Sequence, residues 1–385
     1  MVFFLPPLAA AAAAPQTLQP EPNPAALPGA FLAECMPGAT PPPLSNASRT
    51  FAPSGVLVHL HYFEPPEMEA CERANKRTNL AFFLAHAVEP STPADGLFFH
   101  ITANVLPPIG EFYASIGLPT PSRATLVPER ANVRAELTTR AATTDLCYRA
   151  DVIRQQEARR NVSYALFLND GARGPFPPSS SDAAALGGAP AWLGRYAAAF
   201  RAPSVKAVGS MITCEHDAHL QSWALMIDWE SRANFRDAYD ATCAQDKEAA
   251  ILGGEIGPHI KLLDAGGAIS GLFPPALGFS GAHRACMHDH IARGGCTNPL
   301  PFVQTPPSQA HWDDVGDLGE YTFVKFGGEQ WRRRLMPEPY VAHVTRETAR
   351  LLGNASGCVP AAPGAASYVA DLRSDSEAIS RAYRS

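Results

Sequence analysis

Apolar and polar positions alternate along this chain in blocks whose length and period separate strands from helices. Val56-Leu57-Val58-His59-Leu60-His61-Tyr62-Phe63 is a largely apolar run of strand length. Pro65-Pro66 closes it, since proline serves neither a ladder nor a helix interior. A charged segment with helical spacing follows, from Glu67 through Cys71 and Ala74 to Leu80, Phe83 and Leu84. The next apolar runs are Leu97 to Thr102 and Asn132 to Leu137. Asp145 then opens a helix through Ile153, and Val162 to Leu168 is a fourth strand ending in Asn169-Asp170. The order β-α-β-β-α-β predicts an α/β domain with a mostly parallel sheet covered by helices on both faces. Ligands of such sheets bind at the carboxyl ends of strands. Asp145 and Asp170 both follow strand ends in this reading.

The second half continues the pattern. Val205 to Thr213 and Trp223 to Trp229 are expected strands. Ser231 is placed as an N-cap for a helix that puts Phe235, Ala238, Tyr239 and Thr242 on one face. Lys247 to Asp264 has helical composition, and Gly253-Gly254, Gly257 and Pro258 are expected to split it in two, with Glu255 near the start of the second piece. Gly266-Gly267 suits a C-terminal cap. Residues 275–320 look loop-rich, Tyr321 to Phe326 is a late strand, and Val341 to Leu352 and Ser374 to Tyr383 have the pattern of surface helices.

Composition narrows the class. Of 385 residues, 46% are hydrophobic and 18% charged, which permits a packed core. A net charge of -6 argues against a general nucleic-acid binder, which needs a basic surface. The short run Arg332-Arg333-Arg334 suits a solvated face or an anion contact. The 37 prolines concentrate outside the periodic segments, so residues 1–54 are expected to be a disordered Ala/Pro-rich leader. Its apolar pieces, Val2 to Leu5 and Ala9 to Ala14, are broken by Pro6-Pro7 and fall short of the ~20 residues that span a bilayer. They fit a degraded signal sequence or a chain start that lost its anchor. Eight cysteines and three sequons, at Asn46, Asn161 and Asn354, favour the Golgi lumen or secretory pathway, with the cytoplasm as the alternative. Asn161 opens a predicted buried strand, which argues against its use.

The segment Phe167-Leu168-Asn169-Asp170-Gly171-Ala172-Arg173-Gly174-Pro175-Phe176 carries the most chemistry. A strand delivers an acid onto a glycine-containing loop beside an arginine. A carboxylate there can hold Mg²⁺ or Mn²⁺, because hard cations take oxygen ligands, and Arg173 can add a bidentate phosphate contact. The plain alternative is a strand-end turn, for which Asn-Asp-Gly is common.

This segment resembles the Leu-Asn-Asp-Ser-x-x-Gly-Pro motif of bacterial rhamnan-synthesis-type glycosyltransferases and the Asn-x-x-x-Arg-Gly-Pro-Phe stretch of their plant and algal relatives. The resemblance continues in order through Val208 to Cys214, His219-Leu220-Gln221-Ser222, Glu255 within Ile251 to Gly257, and Phe323-Val324-Lys325. It spans about 55 to 330. It implies a GT-A-like fold and transfer of a sugar from a nucleotide-diphosphate sugar to a glycan or glycoprotein acceptor. It further implies that Asp145 contacts the nucleotide, that Asn169, Asp170, Arg173 and His219 bind the donor, that Asp170 holds Mn²⁺ or Mg²⁺, and that Glu255 is the catalytic base. Asn169 replaces one acid of the family's paired carboxylates, and Thr143-Thr144 stand where the family has Asn-Gly. The first departure keeps open a catalytically inactive binding or scaffold domain. The plain alternatives are an N-cap for Asp145, a macrodipole-favoured helix acid for Glu255 and a structural histidine for His219.

Other groupings are weaker. His283, Cys286, His288, His290 and Cys296 contain zinc-type ligands at no familiar spacing, with a Cys286–Cys296 disulfide or unpaired surface residues as alternatives. Gly278-Phe279-Ser280-Gly281-Ala282 lacks the final glycine and the feeding strand of a hydrolase nucleophile elbow. The expected organisation is a leader over 1–54, the GT-A-like domain over 55–330 with a loop-rich insertion at 275–320, and a helical extension over 331–385. Membrane association would come only through a lost or upstream anchor.

Overall fold

The computed structural model describes Cys35 and residues 55–65, 68–91, 96–105, 133–137, 145–157, 162–177, 190–200, 202–213, 217–243, 245–272, 276–292, 318–326 and 338–352. The expectations for the leader, the three sequons, residues 293–317, Arg332 to Arg334 and Ser374 to Tyr383 lie outside these residues.

The first half runs β1 (Val56–Glu64), α1 (Ala70–Phe83, extended by a wide turn over Leu84–Val88), β2 (Leu97–Val105), β3 (Val133–Leu137), α2 (Leu146–Gln156) and β4 (Tyr164–Asn169). A short strand β5 (Ala172–Arg173) follows, then helix α3 (Gly194–Ala199). The second half contributes β6 (Val205–Gly209), β7 (Ile212–Thr213), β8 (His219–Leu220), β9 (Ala224–Asp228) and helix α4 (Arg232–Thr242). After it come a short helical turn (Lys247–Ala249), a wide turn (Ala250–Ile256), α5 (Gly257–Asp264), β10 (Ala268–Gly271), β11 (Ala276–Phe279) and α6 (Gly281–Ala292). The described chain closes with α7 (Leu318–Tyr321), β12 (Val324–Lys325) and α8 (Glu338–Leu352).

Eight strands form one sheet in the order β11-β10-β6-β9-β4-β1-β2-β3. Six run the same way. β9 is antiparallel to both its neighbours, and β11 is antiparallel to β10. The expected α/β architecture with a mostly parallel sheet is therefore the observed one. Period-2 alternation explains its layers. Val56, Val58, Leu60 and Tyr62 of β1 join one core cluster with Leu80 and Phe83 of α1, Tyr196 of α3 and Val344 of α8. Leu57 and the alternate residues Ala165, Phe167, Leu225 and Ile227 face the other cluster, with Ile153 of α2, Tyr239 of α4 and Leu263 of α5. Burial on both faces is why these strands are near-continuous apolar runs.

Several local expectations change. The stretch Val205 to Thr213 is two strands rather than one. The chain leaves the sheet at Ser210, whose hydroxyl donates to the Phe323 carbonyl, and Ile212–Thr213 then pairs with β8. Ser231 makes no side-chain cap. The capping oxygen is Asp228, which accepts from the Glu230 N–H and starts a tight turn one step earlier. The face Phe235, Ala238, Tyr239 and Thr242 is buried as expected. Glycines 253 and 254 do not break the Lys247–Asp264 segment but sit in its wide turn. Gly266 ends it at φ +79°, where an L side chain is strained. Residues 276–292 form a strand and a helix, not a loop, and only Val324–Lys325 of the late strand is extended. Helix α8 buries Tyr340, Val341, Val344 and Thr348, so it packs into the main core.

Cys147–Cys243 ties the first turn of α2 to the end of α4, and Cys35–Cys286 ties residue 35 to α6. The latter rules out the Cys286–Cys296 pair that the sequence offered as one alternative. Among the described residues the histidine group gathers no metal-ligand set: His283 accepts from the Ser280 N–H, and His288 meets Asp217. No helix of the described residues is long and apolar enough to cross a membrane.

Candidate functional site

β1 lies between β4 and β2, and the chain departs from β1 toward one edge and from β4 toward the other. A crevice at the carboxyl ends of such strands is the ordinary ligand site of open α/β sheets. Five segments deliver polar side chains there: the end of β1, the start of α2, the turn after β4, the wide turn before α5, and β12.

At the end of β1, His61 is buried, stacks on Tyr148 at 3.9 Å between ring centres, and meets the Thr102 hydroxyl through Nδ1 at 2.9 Å. Burial pushes its imidazole down to about 4, against the pull of Asp145 and Asp170. His61 is therefore a neutral ring within electrostatic reach of both acids.

Asp145 precedes the first turn of α2 but caps nothing. Its Oδ2 accepts from Arg149 Nη2 at 2.5 Å, one helical turn on. Arg149 is fully buried and also donates to the Ser222 carbonyl at 2.7 Å. Burial opposes its charge, yet Asp145 and Tyr239 outweigh that and hold the guanidinium above its ordinary range. Arg149 is the buried cation that fixes the Asp145 carboxylate.

Asp170 sits in the turn after β4. Its Oδ2 accepts from Lys76 Nζ at 2.8 Å and from the Phe63 N–H at 2.9 Å. Asn79 of α1 donates to its carbonyl at 2.8 Å. Asn169 Oδ1 accepts the Gly171 N–H. The turn is thus locked to β1 and α1.

Glu255 is half-buried in the wide turn before α5. Gly254 explains its approach: a Cβ there would strike Leu146 and come within 2.7 Å of Thr242 Oγ1. Glycine lets this turn press against α2 and α4 without a shift of Leu146 or Thr242. Burial raises the Glu255 carboxyl, Asp145 raises it further, and Arg149, Ser222 and Lys325 oppose.

Lys325 completes the group. In the β5–β12 ladder it faces Ala172, while Arg173 faces Val324. Alternation sends Lys325 and Arg173 to opposite faces. The Lys325 ammonium lies over Gly171, 3.0 Å from where a Cβ would stand, and 6.0 Å from the Trp223 ring centre. Burial lowers its pKa, against Glu255, Asp170 and Asp145 in that order. One ammonium feels all three carboxylates that the sequence singles out.

Two expected donor-binding residues are elsewhere. Arg173 is fully buried, with donors on Asn79 Oδ1 (2.7 Å), Asn75 Oδ1 (2.5 Å) and Thr348 Oγ1 (3.2 Å), over the Phe326 ring. It pins α1 to α8 and presents nothing to a phosphate. His219 is buried with Nδ1 on the Asp217 carbonyl and His259 nearby, the structural alternative. The residues that sequence reasoning missed are His61, Lys76 and Arg149. Their one visible signal was polarity at positions otherwise fit for a core.

A divalent cation at Asp170 fits poorly. Among the described residues no three His, Cys, Asp or Glu side chains gather to hold one. Asp170 is already the partner of an ammonium, and its neighbour Asn169 brings no charge.

No family model matches the chain, and no curated protein does. Solved structures do. The galactosyltransferase LgtC, in complex with donor and acceptor sugar analogues, is 10% identical at TM-score 0.32, over 79% of this chain and 97% of that one. The 4-diphosphocytidyl-2C-methyl-D-erythritol synthase of Anaerococcus prevotii is 12% identical at TM-score 0.29, over 51% of this chain and 80% of that one. A cytidylyltransferase of Leptospira borgpetersenii is 9% identical at TM-score 0.27, over 54% and 70%. Superpositions this loose carry no argument, and the architecture rests on the chain's own strand order.

Proposed function

We propose that the protein is a glycosyltransferase of the rhamnan-synthesis type, moving a sugar from a nucleotide-diphosphate sugar to a hydroxyl of a glycan or glycoprotein. The observation that supports this most is the gathering of Asp145, Asp170 and Glu255 about Lys325 at the carboxyl ends of β1 and β4. The ordered motifs from Asn169 to Lys325 support it independently. In this reading Asp145, held by Arg149, contacts the nucleotide, and the Asn169-Asp170 turn and Lys325 lie along the diphosphate. The acceptor oxygen attacks the anomeric carbon as its bond to the diphosphate breaks. The nucleoside diphosphate leaves, and Glu255 takes the hydroxyl proton. A base needs a pKa near the working pH, and burial moves Glu255 up toward it.

Glu255→Gln tests this. Donor hydrolysis or transfer is expected to fall by about 10²–10⁴-fold while donor binding stays within a few-fold. In the wild type the acid limb of kcat should rise as Glu255 loses its proton, and Gln should abolish that limb. A wild type that binds nucleotide sugars yet never turns them over would instead support the scaffold reading, which Asn169 favours. The Cys147–Cys243 and Cys35–Cys286 disulfides support placement in an oxidising secretory compartment. Non-reducing mass spectrometry of the secreted protein should recover the Cys147–Cys243 peptide pair, and free thiols at both positions would refute that placement.

A further inference from the structure

The charges at this site are matched without a metal ion. Asp145 has Arg149 and Asp170 has Lys76 at hydrogen-bond distance. Each acid has its Oδ2 committed to a cationic side chain, whose charge a dication would oppose. Asn169 Oδ1 accepts the Gly171 N–H and so serves the turn. What the site has instead is ammonium. Lys76 is fixed from two sides, by Asp170 and by the Phe63 carbonyl at 3.0 Å. Lys325 stands over the loop backbone at Gly171, where the absent side chain leaves it room. It is half-buried, and among the described residues its ammonium makes no hydrogen bond or ion pair. A partly desolvated ammonium without a direct partner favours an anion beside it.

We infer that the crevice at the ends of β1 and β4 binds the donor's diphosphate on fixed lysine ammonium groups, Lys325 foremost and Lys76 beside it, in place of a divalent cation. This rests on the glycosyltransferase reading for the identity of the donor, but not for the anion chemistry. Lys76 is held by Asp170, so the acid at the strand end acts by positioning an ammonium. Lys325 approaches from β12, a late strand brought in by its ladder with β5. The chain thus supplies the cation from two remote segments. A side chain at Gly171 would crowd the Lys325 ammonium.

Calorimetric titration of the full chain with inorganic pyrophosphate and with a panel of UDP- and GDP-sugars tests this, in EDTA and again with Mn²⁺ or Mg²⁺. Binding is expected in EDTA, with added metal changing Kd by less than about threefold. Lys325→Gln should weaken pyrophosphate and nucleotide sugar alike by roughly tenfold or more, the scale of a lost charge-assisted contact. Its unfolding midpoint without ligand reports whether the variant folds. If it does not, the EDTA comparison on wild type decides alone. Nucleotide-sugar binding that vanishes in EDTA and returns with Mn²⁺ overturns the lysine cradle and leaves the glycosyltransferase reading standing. Lys325-dependent pyrophosphate binding with no response to any nucleotide sugar does the reverse. A wild type silent toward every probe in both buffers overturns both.

Discussion

Two fully buried arginines, Arg149 and Arg173, sit on either side of the same strand end and behave oppositely. Arg149, in the region where α2 meets β4 and α4, contacts a carboxylate that faces the crevice, and its charge is held above the ordinary range once Asp145 outweighs burial. Arg173, in the region where β5 meets α1 and α8, contacts amide and hydroxyl oxygens, and burial lowers it to about 9. One orients a functional acid. The other binds helices together. The difference follows from the register of a two-residue ladder, which turns Arg173 into the core and its neighbour's partner Lys325 into the site. Proximity of an arginine to a glycine-rich loop therefore says little until its direction is known.

The largest expected effect is on Arg173. Arg173→Leu removes the donors to Asn75, Asn79 and Thr348 and leaves buried oxygens bare, so stability should fall by about 3 kcal/mol or more. Urea unfolding measures it, and a loss under about 1 kcal/mol would break the comparison. Arg149→Met should cost about 1–3 kcal/mol of stability, but its signature is functional. Asp145 loses its anchor, and the thermal shift given by nucleotide sugars should disappear. A retained shift would make Arg149 another purely structural cation.

A smaller effect concerns acid. His61, pushed down to about 4, and His259, pushed down to about 3, are neutral in the native state because both are buried. The unfolded chain takes up protons at these positions from about pH 6.5 downward. Their contribution is therefore complete above that pH and is lost as pH falls toward the folded values. Urea midpoints should decline from pH 6.5 to 4.5, and His61→Asn should flatten the decline. A slope unchanged in that variant would remove His61 from the account.

The strands of the first half were legible because both sheet faces are covered, which writes them as apolar runs. The roles of Asp145 and Glu255 came only through the resemblance, whereas the face Phe235 to Thr242 was legible from its period. Lys325 was visible within Phe-Val-Lys, but nothing local told which side of β12 it would face. His61 and Arg149 were hidden because a polar residue in an apolar run carries no sign of its partner. The same limit explains the mistaken Ser231 cap: Asp228 lies three residues earlier and reached the turn first. The Cys35–Cys286 bridge joins positions 251 apart, beyond any spacing rule.

The central claim is that three carboxylates distant in sequence surround one ammonium. Reductive ¹³C-methylation makes lysines visible to NMR, and the resonance lost in Lys325→Arg identifies Lys325. Its pH titration in Glu255→Gln, Asp170→Asn and Asp145→Asn should move to lower pH than in wild type, most for Glu255 and least for Asp145, because each carboxylate stabilises the charged form. A Lys325 titration that none of the three substitutions displaces would mean that the acids do not share a site.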